Sequence, residues 1–160
     1  MMNRPGADAG LESRLRVMRL LWGVWLVTVG SFVLVSYVAR PPGGAPEGWG
    51  ARNPPLLYGL AAAAFSAVVA SFVVKRIFYR RAAEAGQPAQ AQSGFILALA
   101  LSEAAVICGM VGLFATWDSS AYVLYALGAL GIALHFPARG QLEAAYQGAG
   151  GGGGRGAGEF

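Results

Sequence analysis

One carboxyl in this chain stands where a carboxyl is costly. Glu103 interrupts the segment 94–117, which is otherwise uncharged over its 24 residues and centred near residue 105. If that segment crosses a bilayer, an ionised side chain at this depth is expensive, and the chemistry open to it is reversible binding of a proton or cation. A second reading is that a neutral carboxyl donates one hydrogen bond and fixes the register of its helix. Depth counting along the other apolar segments places the hydroxyls of Thr28, Ser31 and Ser66 at a similar level, as hydrogen-bond partners for Glu103. His135, the single histidine, lies seven residues from Gly128 at the middle of its own segment, roughly 10 Å along a helix, which makes it a poor partner. Beside Phe136, Pro137 and Arg139 it is expected to be an interfacial anchor. Cys108, the only cysteine, has no disulfide partner within the chain and is expected to act as a small apolar residue. One Cys and one His supply no ligand set for zinc or haem, so neither metal nor cofactor is expected. No phosphate loop, dinucleotide fingerprint or nucleophile elbow occurs, no catalytic residue is assigned, and an enzyme is not expected.

The elements that must position Glu103 are apolar blocks. Of 160 residues, 56% are apolar and 12% charged, about half the ~25% charge of a soluble domain. The segments 20–39 and 56–74 carry no charge, and with 94–117 each is long enough to cross a ~30 Å hydrocarbon core. A fourth block, 121–136, would span only about 24 Å. It counts as a crossing because Tyr122 and Tyr125 suit an outer interface. The expected fold is all-α: a multi-pass, four-transmembrane-helix bundle over residues 20–136. A cytoplasmic segment, 1–19, precedes it, and a flexible glycine-rich tail, 137–160, follows. The proline-rich stretch 40–55 is expected to be an irregular outer loop.

The cations orient the bundle. Arg4, Arg14, Arg16 and Arg19 precede the first block, Lys75, Arg76, Arg80 and Arg81 follow the second, and Arg139 and Arg155 lie in the tail. Only Arg40 and Arg52 fall on the other side. The positive-inside rule then puts both termini in the cytoplasm, at an inner or plasma membrane. There is no long basic run for nucleic acid, so membrane lipids with anionic headgroups are the expected partners of these charges.

Helices in lipid are held by close packing of small residues. The second block offers Gly59, Ala63, Ala67 and Ser71 at four-residue spacing, beside a parallel row of Ala62, Ser66 and Ala70. The third block offers Ala98, Ser102, Ala105, Gly109 and Gly112. The second and third helices are therefore expected to form a tight antiparallel hairpin, joined by a cytoplasmic loop of about 18 residues between their apolar blocks.

The string LSEAAVICGMVGLF, Leu101 to Phe114, resembles the second helix of the proteolipid c subunit of rotary F-type and V-type ATP synthases. In that family a carboxyl followed by alanine, an aliphatic residue, glycine and valine surrounds the ion-carrying acid. The likeness covers residues 56–117, including a basic loop with Gln87-Pro88. It implies a proton-carrying role for Glu103 and contact of the Gln87-Pro88 loop with a cytoplasmic partner. Nothing outside this hairpin has a counterpart in the two-helix subunit, so the chain reads as a different membrane protein with a c-subunit-like hairpin. The expected function is proton or cation binding at Glu103 within a self-associated or larger membrane complex. The alternative is an accessory subunit in which the carboxyl only fixes helix packing.

Overall fold

A computed structural model describes residues 5–40 and 54–144, with side chains from Gly10 onward. Four α-helices succeed one another: α1 (Pro5–Val38), α2 (Pro54–Ala85), α3 (Pro88–Thr116) and α4 (Tyr122–Leu134), the last entered through a 3-10 turn at Ser119–Ala121. No strand occurs among the described residues. Three helical stretches, Gly10–Val38, Pro54–Ala85 and Pro88–Thr116, are long and apolar enough to cross a membrane, while Ser119–Leu134 is apolar but shorter. Pro41, Pro42 and Pro46 of the expected outer loop lie outside the described residues, as do positions 145–160 of the expected tail.

The helices run beyond their apolar blocks. The expected 18-residue loop between the second and third is instead a continuation of both, broken only at Gly86 and Gln87. A charge-free run measures the thickness of a bilayer, whereas a helix continues as long as its residues favour it. The extension of α2 is rich in arginine, alanine and glutamate, all good helix formers, with Arg80 and Glu84 paired one turn apart at 3.5 Å. The break has a local cause. Gly86 takes a left-handed φ of 61°, the Gln87 amide donates to the Ala82 carbonyl at 3.0 Å, and Pro88 starts α3, where its missing N–H has no helical partner to lose. By the same logic Pro54 and Pro55 open α2 rather than belonging to the outer loop. Part of the expected flexible tail is also ordered. Residues 139–144 are helical, and Leu142 is buried among Leu11, Leu15 and Met18.

Contacts define the two ends of the bundle. Arg14 donates to Gln92 at 3.2 Å, Arg139 pairs with Glu12 at 3.1 Å, and Ala82 meets Ala91, which gathers the start of α1, the end of α2 and the start of α3. Lys75 beside His135 brings the end of α4 to the same end. At the other end Ser36 meets Tyr125, and Gly112 lies beside Leu57, Leu60 and Ala121. Successive helices are therefore antiparallel, and α3 touches the other three.

On α3 the small residues Ala98, Ser102, Ala105, Gly109 and Gly112 are all buried. On α2 the contact face keeps Ser71 of the expected row and departs from it at Gly59 and Ala63. Gly59 and Ala63 point outward, and Leu57, Leu60, Ala61, Ala64, Val68 and Ser71 line the interface. The lining of α2 thus mixes larger side chains (Leu57, Leu60, Val68) with small ones (Ala61, Ala64, Ser71), and the small face of α3 accommodates both. α4 also approaches α3 closely. A Cβ at Gly128 would lie 2.8 Å from the Ser102 carbonyl oxygen and 2.9 Å from the Val106 nitrogen. Large apolar side chains meanwhile point outward from all four helices, among them Val24 and Val27, Phe65 and Val69, Ile107 and Val111, and Val123 and Leu130.

Gly128→Ala is accordingly expected to destabilise the bundle by about 1–3 kcal/mol through overpacking. Gly59→Ala, with open space at its Cβ, should be neutral or stabilising by up to about 1 kcal/mol. Denaturant unfolding of the two variants in micelles measures both.

Candidate functional site: a polar layer across the helices

Glu103 lies on the side of α3 that faces α1, half-buried, and its Oε2 accepts a hydrogen bond from the Trp25 indole at 2.9 Å. Arg19 and Tyr37 bracket the apolar part of α1, and Trp25 is three residues from their midpoint at Thr28. The pair therefore sits about 5 Å from mid-span, toward the basic end. Trp22, one turn earlier, donates its indole N–H to the Ile132 carbonyl at 2.8 Å. Ile132 is in the last turn of α4, where carbonyls lack a full set of helical donors. Nearer the opposite end, the Ser36 and Tyr125 hydroxyls share a buried hydrogen bond of 2.6 Å.

None of the three expected hydroxyl partners reaches Glu103. Thr28 donates to the Val24 carbonyl at 3.0 Å and Ser31 to the Val27 carbonyl at 2.9 Å, each within its own helix. Ser66 is exposed on the outer face of α2, among Phe65, Val69 and Ala70. Depth along a helix leaves direction around it undetermined, and a hydroxyl in an apolar setting readily bonds the carbonyl one turn back. The residue that does reach, Trp25, carried a usable signal. An indole N–H is donor-only and finds an acceptor when buried, and Trp22 and Trp25 share one helical face.

Ser102, next in sequence to Glu103, faces the other way. It donates to the Ala98 carbonyl at 3.0 Å and lies 3.3 Å from the Ser71 hydroxyl. Ser71 directs its own proton to the Val68 carbonyl at 2.6 Å. Its oxygen is thus left to accept from His135 Nε2–H, 2.8 Å away. His135 is wholly buried, with the Phe72 ring 4.5 Å from its own and the Lys75 ammonium 3.5 Å from its carbonyl oxygen. This corrects the expectation of an interfacial anchor. The histidine closes the end of α4 against α2, and Ser71 and Ser102, expected only as small packing residues, are its polar lining. A layer of indole, carboxyl, hydroxyl and imidazole groups so links all four helices.

The layer contains no second carboxyl beside Glu103, and no metal-ligating group of three or more His, Cys, Asp or Glu occurs among the described residues. Its two halves share α3 without a hydrogen bond between them among the described residues. Cys108 is a free thiol, half-buried near Ala64 and Leu124. Gln87 and Pro88 form the tip of the α2–α3 hairpin, where Gln90 donates to the Gln87 side chain at 2.6 Å.

Three membrane-length helices, apolar outer faces and a polar layer turned inward are the features of a helical membrane protein. No family model, curated protein or solved structure matches the chain.

The Ser71–His135 contact is expected to show as energetic coupling. Ser71→Ala leaves the buried imidazole N–H without an acceptor, at a cost of about 1–3 kcal/mol. A double-mutant cycle of Ser71→Ala with His135→Phe, followed by thermal unfolding in micelles, should give a coupling of about 1 kcal/mol. Ser66→Ala should change stability by less than about 0.5 kcal/mol.

Proposed function

We propose that this chain is a four-span membrane protein of the inner or plasma membrane with both termini in the cytoplasm, serving as an accessory subunit in which Glu103 fixes α1 on α3. The observation that carries this reading is the Trp25–Glu103 hydrogen bond. The carboxyl's partner is a donor on a different helix that cannot itself take up or pass on a proton. The layer has the distribution of a fastening, with one polar contact for each helix pair it joins. The exposed small residues Gly59, Ala62, Ala63 and Ser66 on α2 support association with another helix, from a second copy or from another membrane subunit.

Orientation rests on charge. Arg14, Arg16, Arg19, Lys75, Arg76, Arg80, Arg81 and Arg139 gather at one end of the bundle and Arg40 at the other, the asymmetry that the positive-inside rule associates with the cytoplasm. Ser119–Leu134 is taken as the fourth crossing. It runs about 24 Å, and its ends lie against Gly112 and Ser71, on helices of membrane length. Reporters that work only in the cytoplasm should be active when fused after Phe160 and inactive when inserted at Gly44. Activity at Gly44 would reverse the orientation.

A second reading is reversible proton or cation binding at Glu103. The half-buried carboxyl has only one oxygen engaged by Trp25 among the described residues, and its setting resembles the c-subunit helix. Substitution separates the two. For a fastening, Glu103→Gln keeps an acceptor for Trp25 and leaves stability and complex formation intact, while Glu103→Leu costs about 1–3 kcal/mol. For proton binding, Glu103→Gln abolishes proton flux in liposomes while the protein stays folded, and a hydrophobic carbodiimide modifies Glu103.

A further inference from the structure

At the basic end, α2 and the chain that follows α4 enclose a cleft of about 510 Å³. Its lining is graded along α2. Phe72 and, from α4, Leu134 form an apolar wall on the membrane side, and Lys75, Arg76 and Arg80 follow within the next two turns. Gln141 stands on the wall contributed by residues 139–144, held in place by buried Leu142.

Among the described residues no carboxylate lines this cleft. Glu84 pairs with Arg80 across 3.5 Å, both side chains largely in water, where such pairs contribute little. Neither Lys75 nor Arg76 has an ion-pair partner among the described residues. Lys75 instead lies over the Tyr79 ring at 5.6 Å. Among the described residues the buried Tyr79 hydroxyl, on a residue that lines the cleft, has no hydrogen-bond partner. Unsatisfied buried polar atoms are uncommon and call for a specific explanation. Here one occurs on a residue lining a cleft that has three cations and, among the described residues, no acid.

We infer that this cleft is a site for one phosphate-bearing anionic lipid, its headgroup against Lys75, Arg76 and Arg80 and its acyl chains leaving past Phe72 and Leu134. Arginine forks match phosphate oxygens in geometry, and the ammonium adds a point charge. The Tyr79 hydroxyl supplies a further donor to a phosphate or ester oxygen. The apolar wall is what a free anion would not use and a lipid does. Basic pockets between helices on the cytoplasmic side of a membrane are suited to such headgroups. The inference rests on α2 leaving the bilayer near Lys75.

Native mass spectrometry of the full chain in a neutral detergent, titrated with phosphatidylglycerol or phosphatidylcholine, tests it. One phosphatidylglycerol should bind per chain, at least tenfold more tightly than phosphatidylcholine. The variant K75Q/R76Q/R80Q should lose that preference, while R16Q/R19Q/R81Q, with three charges likewise removed but outside the cleft, should keep affinity within twofold. A83W fills the cleft and leaves every cation in place, so it should also weaken binding at least tenfold; wild-type binding by A83W would overturn the site. Equal loss in both charge variants, or equal affinity for the two lipids, would overturn it too. Displacement of the lipid by millimolar inorganic phosphate would assign the site to a free anion instead of a lipid. Release of the protein from native membranes by alkaline carbonate would overturn the spanning reading itself, independently of the lipid titration in detergent.

Discussion

Inside a bilayer an apolar side chain gains almost nothing by exchanging lipid for protein, so the architecture depends on how closely backbones approach and on where polar groups find each other. Both conditions meet on α3. Its buried alanines, serine and glycines let α2 and α4 come close, and Glu103 and Ser102 carry hydrogen-bonding groups to opposite sides at one depth. The apolar exterior follows from the same constraint. With no penalty for facing lipid, Val24, Phe65, Ile107 and Leu130 need not be buried, and the core can be narrow.

The helices are held differently. α2 and α4 meet α3 through interdigitated surfaces, with leucines of α2 against Gly112 and α4 backbone against Ser102 and Val106. α1 rests on α3 and α4 with Arg14, Trp22, Trp25 and Ser36 among its polar contacts to them. Two of these donors are tryptophans. A large ring with a single N–H fills an interface and satisfies one acceptor, where a serine would bond back to its own helix, as Thr28 and Ser31 do. The C-terminal turn of α4 illustrates the gain: its end is closed by Trp22 on one side and by the His135 contact with Ser71 on the other.

The helical class, the apolar blocks and the small face of α3 were legible in the sequence because each is written in one dimension, as a run length or a spacing. The small rows of α2 were legible as rows but not as a direction. An alanine-rich helix offers several, and the neighbour's shape selects among them; here Ala64 and Val68 face inward while Gly59 and Ala63 do not. The ends of α2 and α3 were hidden for another reason: charge marks where a helix leaves lipid, while Gly86 and Pro88 mark where it stops. Glu103 was visible as the one acid within an apolar block, and its partner was not. Depth counting favoured hydroxyls at the same level, whereas Trp25 qualifies by azimuth and by being a donor in need of an acceptor. The contact between His135 and Ser71 joins residues 64 apart in sequence, and no local pattern encodes it.

α2 has no break between its apolar stretch and the hairpin tip, since no proline or glycine interrupts it from Leu60 to Ala85. The hairpin it forms with α3 is in effect a rigid lever arm. From Lys75 to Ala85 the arm is about 15 Å long, so a 10° tilt of the helices within the bilayer displaces the tip by about 3 Å. A rod without a break passes any such tilt undiminished to Gly86 and Gln87 at its tip.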